Sequence, residues 1–296
     1  MRLPHPIPYQ GSKRGIAQYI LPFVPQQTAT LIEPFAGSAA VSIAAASAGK
    51  AACFHLNDIN WPLMTLWHEI VNDPQSIAEA YENLWNEQHG REREYYDQVR
   101  AEFNRTHKPA YLLYLLARCV KASIRYNPRG EFNQSPDNRR LGRRPTNMSN
   151  DIFAVSNLFK GRTVITSRDY RDTLSLATKR DLVYMDPPYQ GVSNGRDQRY
   201  YRGVQFSEFV TALSELNRQG VAFILSYDGR TGNKSFGAEL PSELELTRFE
   251  VDAGPSSQAT LLGAKDRTFE SIYISPAVAA RIESFPTRLS AVIEKE

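Results

Sequence analysis

The residues with the clearest chemical potential are Asp186-Pro187-Pro188-Tyr189, which follow the apolar run Leu182-Val183-Tyr184-Met185. The run reads as a buried strand, and two successive prolines end it, because they disfavour helix and remove donors that a central strand needs. A carboxylate, two rigid carbonyls and an aromatic face are thereby held at the C-terminal end of a strand, where open α/β sheets place ligands. Such a set suits a planar base with an exocyclic amino group. The ring stacks on the base, while Asp186 and the Pro187 carbonyl accept the two amino hydrogens. Held in this way the amino lone pair is localised for attack on an electrophile such as a sulfonium methyl group, which needs chiefly in-line positioning and a dry site.

A second group of residues reads as a ligand cradle. The strand Leu31-Ile32-Glu33-Pro34-Phe35 runs into the turn Ala36-Gly37-Ser38 and a small-residue helix from Ala39 to Ala48, so the helix N-terminus faces the ligand. The next strand, Ala52 to Leu56, ends in Asn57-Asp58-Ile59. An acid about twenty residues beyond a glycine turn is spaced to accept from both hydroxyls of a ribose. Asp58 is equally placed to cap a helix beginning near Trp61. Upstream, Gly11 permits a tight turn that sets Tyr9 and Lys13 on either side.

The elements that must position these groups alternate strand and helix, with one interruption. From Trp61 to about Ala122 the apolar spacing is helical, through Ile77, Tyr81 and Leu84, then Tyr95, Val99 and Phe103, then Leu112, Leu115 and Leu116. A polar segment follows to Asn150. Strands resume at Thr163 to Ser167, closed by Arg168-Asp169-Tyr170, at 182–185 and at 221–227, with helix Phe206 to Gln219 between the last two. Glu243 to Val251 and Phe269 to Ser275 suit an antiparallel end of the sheet, and Gln190 to Gly203, with Tyr200 and Tyr201, suits a mobile loop over the site.

Charge singles out the polar segment. Eight cations between Arg118 and Pro145 oppose only Glu131 and Asp137, a local +6 in a chain of net +3 that leaves the remainder at −3. A basic patch on a mildly acidic protein points to a polyanion. Arginine and asparagine interleaved with Tyr126 and Phe132 point to nucleic-acid reading, through Lys121, Arg125, Asn127, Arg129, Asn133, Arg139, Arg140, Arg143 and Arg144. With 42% hydrophobic and 23% charged residues the chain reads as an ordinary globular protein. Cys53 and Cys119, the only cysteines, read as buried free thiols, so neither a disulfide framework nor a metal site is expected. No signal peptide or membrane span is legible, which suggests a soluble cytoplasmic protein.

The stretches Tyr9-Gln10-Gly11-Ser12-Lys13, Glu33-Pro34-Phe35-Ala36-Gly37-Ser38, Asn57-Asp58-Ile59, Asp169-Tyr170 and Asp186-Pro187-Pro188-Tyr189 occur in that order. With Arg125-Tyr126-Asn127 and Gly130-Glu131-Phe132-Asn133 they resemble the Dam-like (alpha-class) adenine-specific DNA methyltransferases, over about residues 6 to 275. The resemblance implies a Rossmann-like α/β methyltransferase fold with a mixed seven-stranded sheet. It divides the chain into a first catalytic and cofactor-binding part at 1–62, a helical target-recognition insertion with a basic loop at 63–159, and a second catalytic part at 160–296.

The activity implied is methyl transfer from S-adenosylmethionine to the N6 amino group of an adenine flipped out of double-stranded DNA. Asp186, Pro187, Pro188 and Tyr189 would be catalytic. Tyr9 and Lys13 would touch the cofactor near its methionine end, and Glu33, Pro34, Phe35, Ala36, Gly37, Ser38 and Ala39 would cradle it. Asp58 would take its ribose, Ile59 would pack on its adenine, Asp169 with Tyr170 would meet that adenine's amino group, and Asp186 would border it. Arg125 is similar to the family's base-reading arginine. A cognate restriction endonuclease acting on the same site is a further expected partner, with orphan and phage enzymes as the other settings. Ala39 stands where the family often has a second glycine. Cys119 to Ile124 and Asn133 to Asp137 differ from the GATC-methylating members, so another recognition sequence is expected.

Two other readings compete. Enzymes that methylate another amino group, such as cytosine N4, more often carry Ser or Asn where Asp186 stands. A non-catalytic DNA-binding protein on the same fold would be expected to have lost Asp186 or Tyr189, and both are present.

Overall fold

Alternation within the apolar runs decides which side of a sheet each residue serves. Leu182 and Tyr184 join one buried apolar cluster and Val183 and Met185 another, so this strand is covered on both faces. The computed structural model of the protein describes residues 3–188, 204–231, 234–236, 238–255 and 267–282. Its strands are β1 (Thr28–Glu33), β2 (Ala51–Asn57), β3 (Thr163–Thr166), β4 (Leu182–Met185), β5 (Ala222–Thr231), β6 (Lys234–Phe236), β7 (Thr247–Pro255) and β8 (Arg267–Ile274). They form one sheet in the order β3-β2-β1-β4-β5-β8-β7, with β6 paired to β5. The first five strands on that path are parallel, and β8 is antiparallel to both β5 and β7.

The expected mixed seven-stranded α/β path is therefore present, and the short β6 is an eighth strand with no apolar signature. Helices α1 (Ala17–Ile20) and α2 (Ala40–Ser47) pack with the Leu182 and Tyr184 side. On the other side lie α8 (Tyr170–Leu174) and α9 (Phe206–Gln219), whose Leu174, Phe209, Leu213 and Leu216 cover Val183 and Met185. Between β2 and β3 come α3 (Trp61–Asn72), α4 (Pro74–Glu87), α5 (Glu92–Thr106), α6 (Pro109–Arg118) and α7 (Pro145–Phe159). Proline opens three of these helices, at the position where its missing N–H costs nothing. A last helix, α10 (Pro276–Ala279), follows β8. Among the described residues no helix is long and apolar enough to cross a membrane.

Residues 119–144 make a structured loop tied down by side chains of the neighbouring helices. The Asn104 amide brackets Phe132, donating to its carbonyl at 3.1 Å and accepting from its N–H at 2.7 Å. Tyr96 donates to Gln134 O at 2.9 Å, Gln88 to Leu141 O at 3.0 Å and Tyr81 to Arg143 O at 2.6 Å. Arg118, 2% exposed, donates to the carbonyls of Asp137 and Glu92. The polar helix residues thus satisfy backbone that would otherwise be orphaned under the loop.

Two expectations fail here. The polar segment ends at Arg144, because α7 claims residues 145–150; its buried stripe Met148, Ile152, Val155 and Phe159 has helical spacing, hidden by Asn and Ser between. Cys53 is exposed, because with Ala52 it lies in an uncovered stretch of β2 between the buried Ala51 and Phe54, whereas Cys119 is buried and its thiol is pushed up to about 12 by that burial.

Asn104→Ala removes both partners of Phe132 and is expected to cost about 2 kcal/mol in denaturant unfolding, more than an exposed surface substitution would.

Candidate active site

β1 and β4 are neighbours, yet the chain leaves β1 toward β2 and β3 and leaves β4 toward β5. Their carboxyl ends therefore border an uncovered crevice, the usual ligand position of such sheets. A cavity of about 710 Å³ opens there, lined by Tyr9 to Lys13, Glu33 to Ser38, Asp58 to Asn60, Arg168 to Arg171 and Asp186 to Pro188. The sequence-derived groups from β1, β2, β3 and β4 thus share one space. The insertion adds Ile124 and Tyr126, and α9 adds Glu208. Tyr189 and the loop 190–203 lie outside the described residues.

The turn after β1 is built by short hydrogen bonds. Ala36 N donates to Asn57 O at 2.8 Å, Gly37 N to Asp58 Oδ2 at 3.1 Å, and the buried Trp67 indole to Gly37 O at 2.8 Å. Gly37 has φ +48°, and a Cβ there would meet the Tyr9 ring at 3.1 Å. Ala39 also lies in the left-handed region, at φ 49°, where glycine is the comfortable residue. Ser38 donates to Ser12 Oγ at 2.8 Å, fastening the cradle to the N-terminal turn.

The amino end of α2 is met from within the protein. Glu33 Oε1 accepts from Ser42 N at 2.6 Å, satisfying one of the helix's free donors. Glu33 is 2% exposed, and burial pushes its carboxyl up to about 8 against that hydrogen bond.

Asp58 accepts from Gly37 N and, at 2.9 Å, from Asn60 N; burial raises its carboxyl pKa while these bonds oppose the rise. It is therefore not the cap of α3, a position that Asn60 occupies. Ile59 stands 44% exposed on the cavity wall, an apolar face open to a planar ring. Asp169 caps α8 through Arg171 N and also pairs with the Arg171 side chain, whose other arm reaches Glu208 at 2.9 Å. Phe35 and Tyr170 meet on that side with centroids 5.2 Å apart and ring planes tilted by 33°.

Lys13 is placed unexpectedly. Its Nζ lies 2.8 Å from Asp186 Oδ2 with only 7% of the side chain exposed, so it is directed to the tetrapeptide. Burial, the largest effect, pushes this ammonium down, but the charges of Asp186 and Glu270 outweigh it and hold it above the ordinary lysine value. Glu270, on β8, was invisible to sequence reading because it is distant in the chain and stands in an apolar strand.

The candidate DNA-contacting residues divide. Lys121, Asn133 and Arg144 are exposed. Arg129 pairs with Glu131 at 2.8 Å, and Arg139 and Arg140 both approach Asp137, but all three guanidinium groups remain largely in solvent. Arg125 is half-buried beside the cavity wall formed by Ile124 and Tyr126. Asn127 spends its amide inside the loop, accepting from Arg129 N and Glu131 N and donating to Glu131 Oε2. Arg143 is folded inward onto Asp151 at 2.6 Å and donates to His5 O at 2.8 Å, a structural position.

Comparison with known proteins agrees with this arrangement. Residues 9–251 match the model of the D12 class N6 adenine-specific DNA methyltransferases. A DNA N-6-adenine-methyltransferase of Escherichia phage P1 is 26% identical over 75% of this chain and 29% of its own length. The retron Ec67 DNA adenine methylase of Escherichia coli is 30% identical over 63% of this chain and 64% of its own. The type II methyltransferase M1.LlaDCHI of Lactococcus lactis subsp. cremoris is 24% identical over 82% of this chain and 86% of its own. The matches to the first two thus span less than two thirds of those relatives.

Glu33 gives the site a pH signature. A carboxyl whose pKa is higher folded than unfolded contributes stability that is full below the ordinary carboxylate range and is lost as pH rises through the folded value, here about 8. Unfolding free energy is expected to fall across about pH 5 to 8, by up to ~1.4 kcal/mol per pH unit from this group. Glu33→Gln, which keeps the acceptor for Ser42, is expected to flatten that slope in denaturant titrations.

Proposed function

The chain belongs to the D12 class of N6 adenine-specific DNA methyltransferases, and on that premise we propose that it methylates the N6 amino group of an adenine flipped out of double-stranded DNA at a specific site. The observation that carries the reading is the shared cavity: the cradle, the Asp186-Pro187-Pro188 corner and the insertion's Ile124 and Tyr126 all face one space. Its size is that of sites which enclose a nucleoside-sized ligand.

The residues fit S-adenosylmethionine, which when bound supplies a methyl group on a positively charged sulfur. Gly37 leaves room that Tyr9 fills, Asp58 ends the second strand at the place for a ribose, and Ile59 offers an apolar face. Tyr9, the run Glu33 to Ala39, Asp169 and Tyr170 complete the pocket, with Asp186 at its border. Asp186 and the Pro187 carbonyl accept the two hydrogens of the target amino group and direct its lone pair into the pocket; Asp186 compensates the charge that nitrogen gains as its bond to the methyl carbon forms and the carbon–sulfur bond breaks, and the nitrogen then gives up one of its two protons to solvent. Pro188 and Tyr189 complete the catalytic corner. Lys13 serves this reading less as a cofactor contact than as the cation that holds Asp186.

Residues 63–159 act as the target-recognition insertion between catalytic parts 1–62 and 160–296. Its exposed Lys121, Arg129, Asn133, Arg139, Arg140 and Arg144 meet the duplex, and Arg125 stands nearest the base. The names of relatives match three settings for such an enzyme: restriction-modification with a cognate endonuclease, as for the type II methyltransferase and the modification methylase StsI of Streptococcus sanguinis, a phage, or an orphan methylase.

Expression in a host without adenine methylation, followed by long-read mapping of modified bases, is expected to show methyladenine at one short sequence, and Asp186→Ala is expected to abolish it. Modified cytosine instead would correct the substrate, and no modification by the folded wild type would refute the reading. In binding assays across salt concentrations, removing Arg139 and Arg140 is expected to lower the slope of log affinity against log salt by about one to two. Arg143→Ala is expected to leave that slope and lower the Tm, because its charge is held by Asp151.

A further inference from the structure

Lys13 is held by two carboxylates. Besides Asp186 Oδ2 at 2.8 Å, its Nζ faces Glu270 Oε2 at 3.6 Å. Glu270 is not among the residues lining the cavity; it comes to Lys13 from β8, where it pairs with Gly229 of β5 and Val251 of β7. Two features aim it there. The β5–β8 ladder shifts register between Ser226 and Gly229, giving β5 one residue more than β8, and such bulges redirect side chains. A Cβ on Gly229 would lie 2.8 Å from the Phe269 carbonyl oxygen, so glycine lets the strands close beside Glu270. Glu270 Oε2 is shut away from solvent and has no hydrogen-bond partner within 3.5 Å among the described residues, so a short approach of the Lys13 ammonium at 3.6 Å completes the pair.

We infer that Glu270 is a positioning residue, the second anchor that keeps the Lys13 charge paired when Asp186 engages the target amino group. The inference rests on the catalytic reading above. Asp186 has its Oδ2 on Lys13, and on accepting from an amine through its other oxygen it shares a single negative charge between the ammonium and the nitrogen that becomes positive. Lys13 also donates to the Gly11 carbonyl at 3.4 Å, but a neutral carbonyl does not offset the ammonium charge. A short movement of the ammonium toward Glu270 keeps it neutralised and leaves the Asp186 charge for the nitrogen that becomes positive. Two other polar groups near the corner are committed elsewhere: Glu33 is turned to Ser42 N at 2.6 Å, and the Tyr184 hydroxyl is engaged with Ser226 at 2.8 Å.

The test compares wild type, Glu270→Gln and Glu270→Asp in transferring labelled methyl groups from S-adenosylmethionine to unmethylated genomic DNA, with thermal unfolding to verify the fold of each. Glu270→Gln keeps the shape without the charge and is expected to lower kcat about ten-fold or more, with KM for DNA and cofactor within about two-fold. Glu270→Asp, which restores the charge at longer range, is expected to fall between. A purely structural role would lower the Tm without this separation of kcat from KM. Wild-type kcat in Glu270→Gln, or Glu270→Asp no better than Glu270→Gln, overturns the inference. Should Glu270→Gln not fold, Glu270→Asp decides: reduced kcat at unchanged KM supports the inference, and wild-type kcat overturns it. A folded wild type that methylates no DNA overturns the functional reading itself, and this inference with it.

Discussion

The adjacency of β1 and β4, with their continuations leaving in opposite directions, is the constraint on which the site depends. No crossover helix can close the gap between their carboxyl ends, so the backbone there finds partners one by one. Ala36 takes its partner from β2, Gly37 takes one from Asp58 and another from Trp67, and Glu33 supplies the missing acceptor for α2. The left-handed Ala39 is the visible cost of this arrangement, on the order of 1–2 kcal/mol for a side chain in that conformation. The remaining structure tolerates it because Ala39 is fully buried and its N–H is bound to Ala36 O.

Charge is distributed on the same principle. Burying an ammonium and a carboxylate together rarely stabilises a fold, since desolvation offsets their attraction. The Lys13 and Asp186 pair is therefore better explained by what it positions than by stability. It fixes the orientation of Asp186 from the N-terminal turn, a segment that also touches the insertion through Gln10 N and Ala122 O at 3.0 Å. Ala122 and its neighbour Lys121 both have positive φ, so this junction between the cavity and the basic loop is itself a strained turn.

Much of this was legible in the residues. The strands before the cradle, before Asp58 and before Asp186 were marked by apolar runs bounded by Gly, Asp or Pro, although the first run reads on to Phe35 and Pro34 in fact ends the strand at Glu33. That Asp58 and Asp186 border one space followed from the resemblance. What stayed hidden depends on distance in the chain. Glu270 reads as one acid in a β strand until the sheet brings it behind Lys13, and Arg143 reads as part of a basic run until Asp151 claims it. Helix α7 was masked by polar residues although its Met148, Ile152, Val155 and Phe159 stripe was present, and Asn127 looked like a reader of bases because its role within its own turn involves only neighbours.

The long connection between β2 and β3 also bears on how the molecule forms. Phe54 pairs with Thr163, so this ladder closes a loop of about a hundred residues. Contacts of that sequence separation are late and slow unless the intervening chain is already compact. Helices α3 to α6 can collapse on their own neighbours, but β3 has only four residues and Val164 is 58% exposed, which gives the ladder little of its own to gain. The edge strand is thus held in place largely from outside the ladder, by α7, which packs on α2, α3 and α4 and sets Phe159 against Phe54 of β2, with the arginine loop strung between α6 and α7.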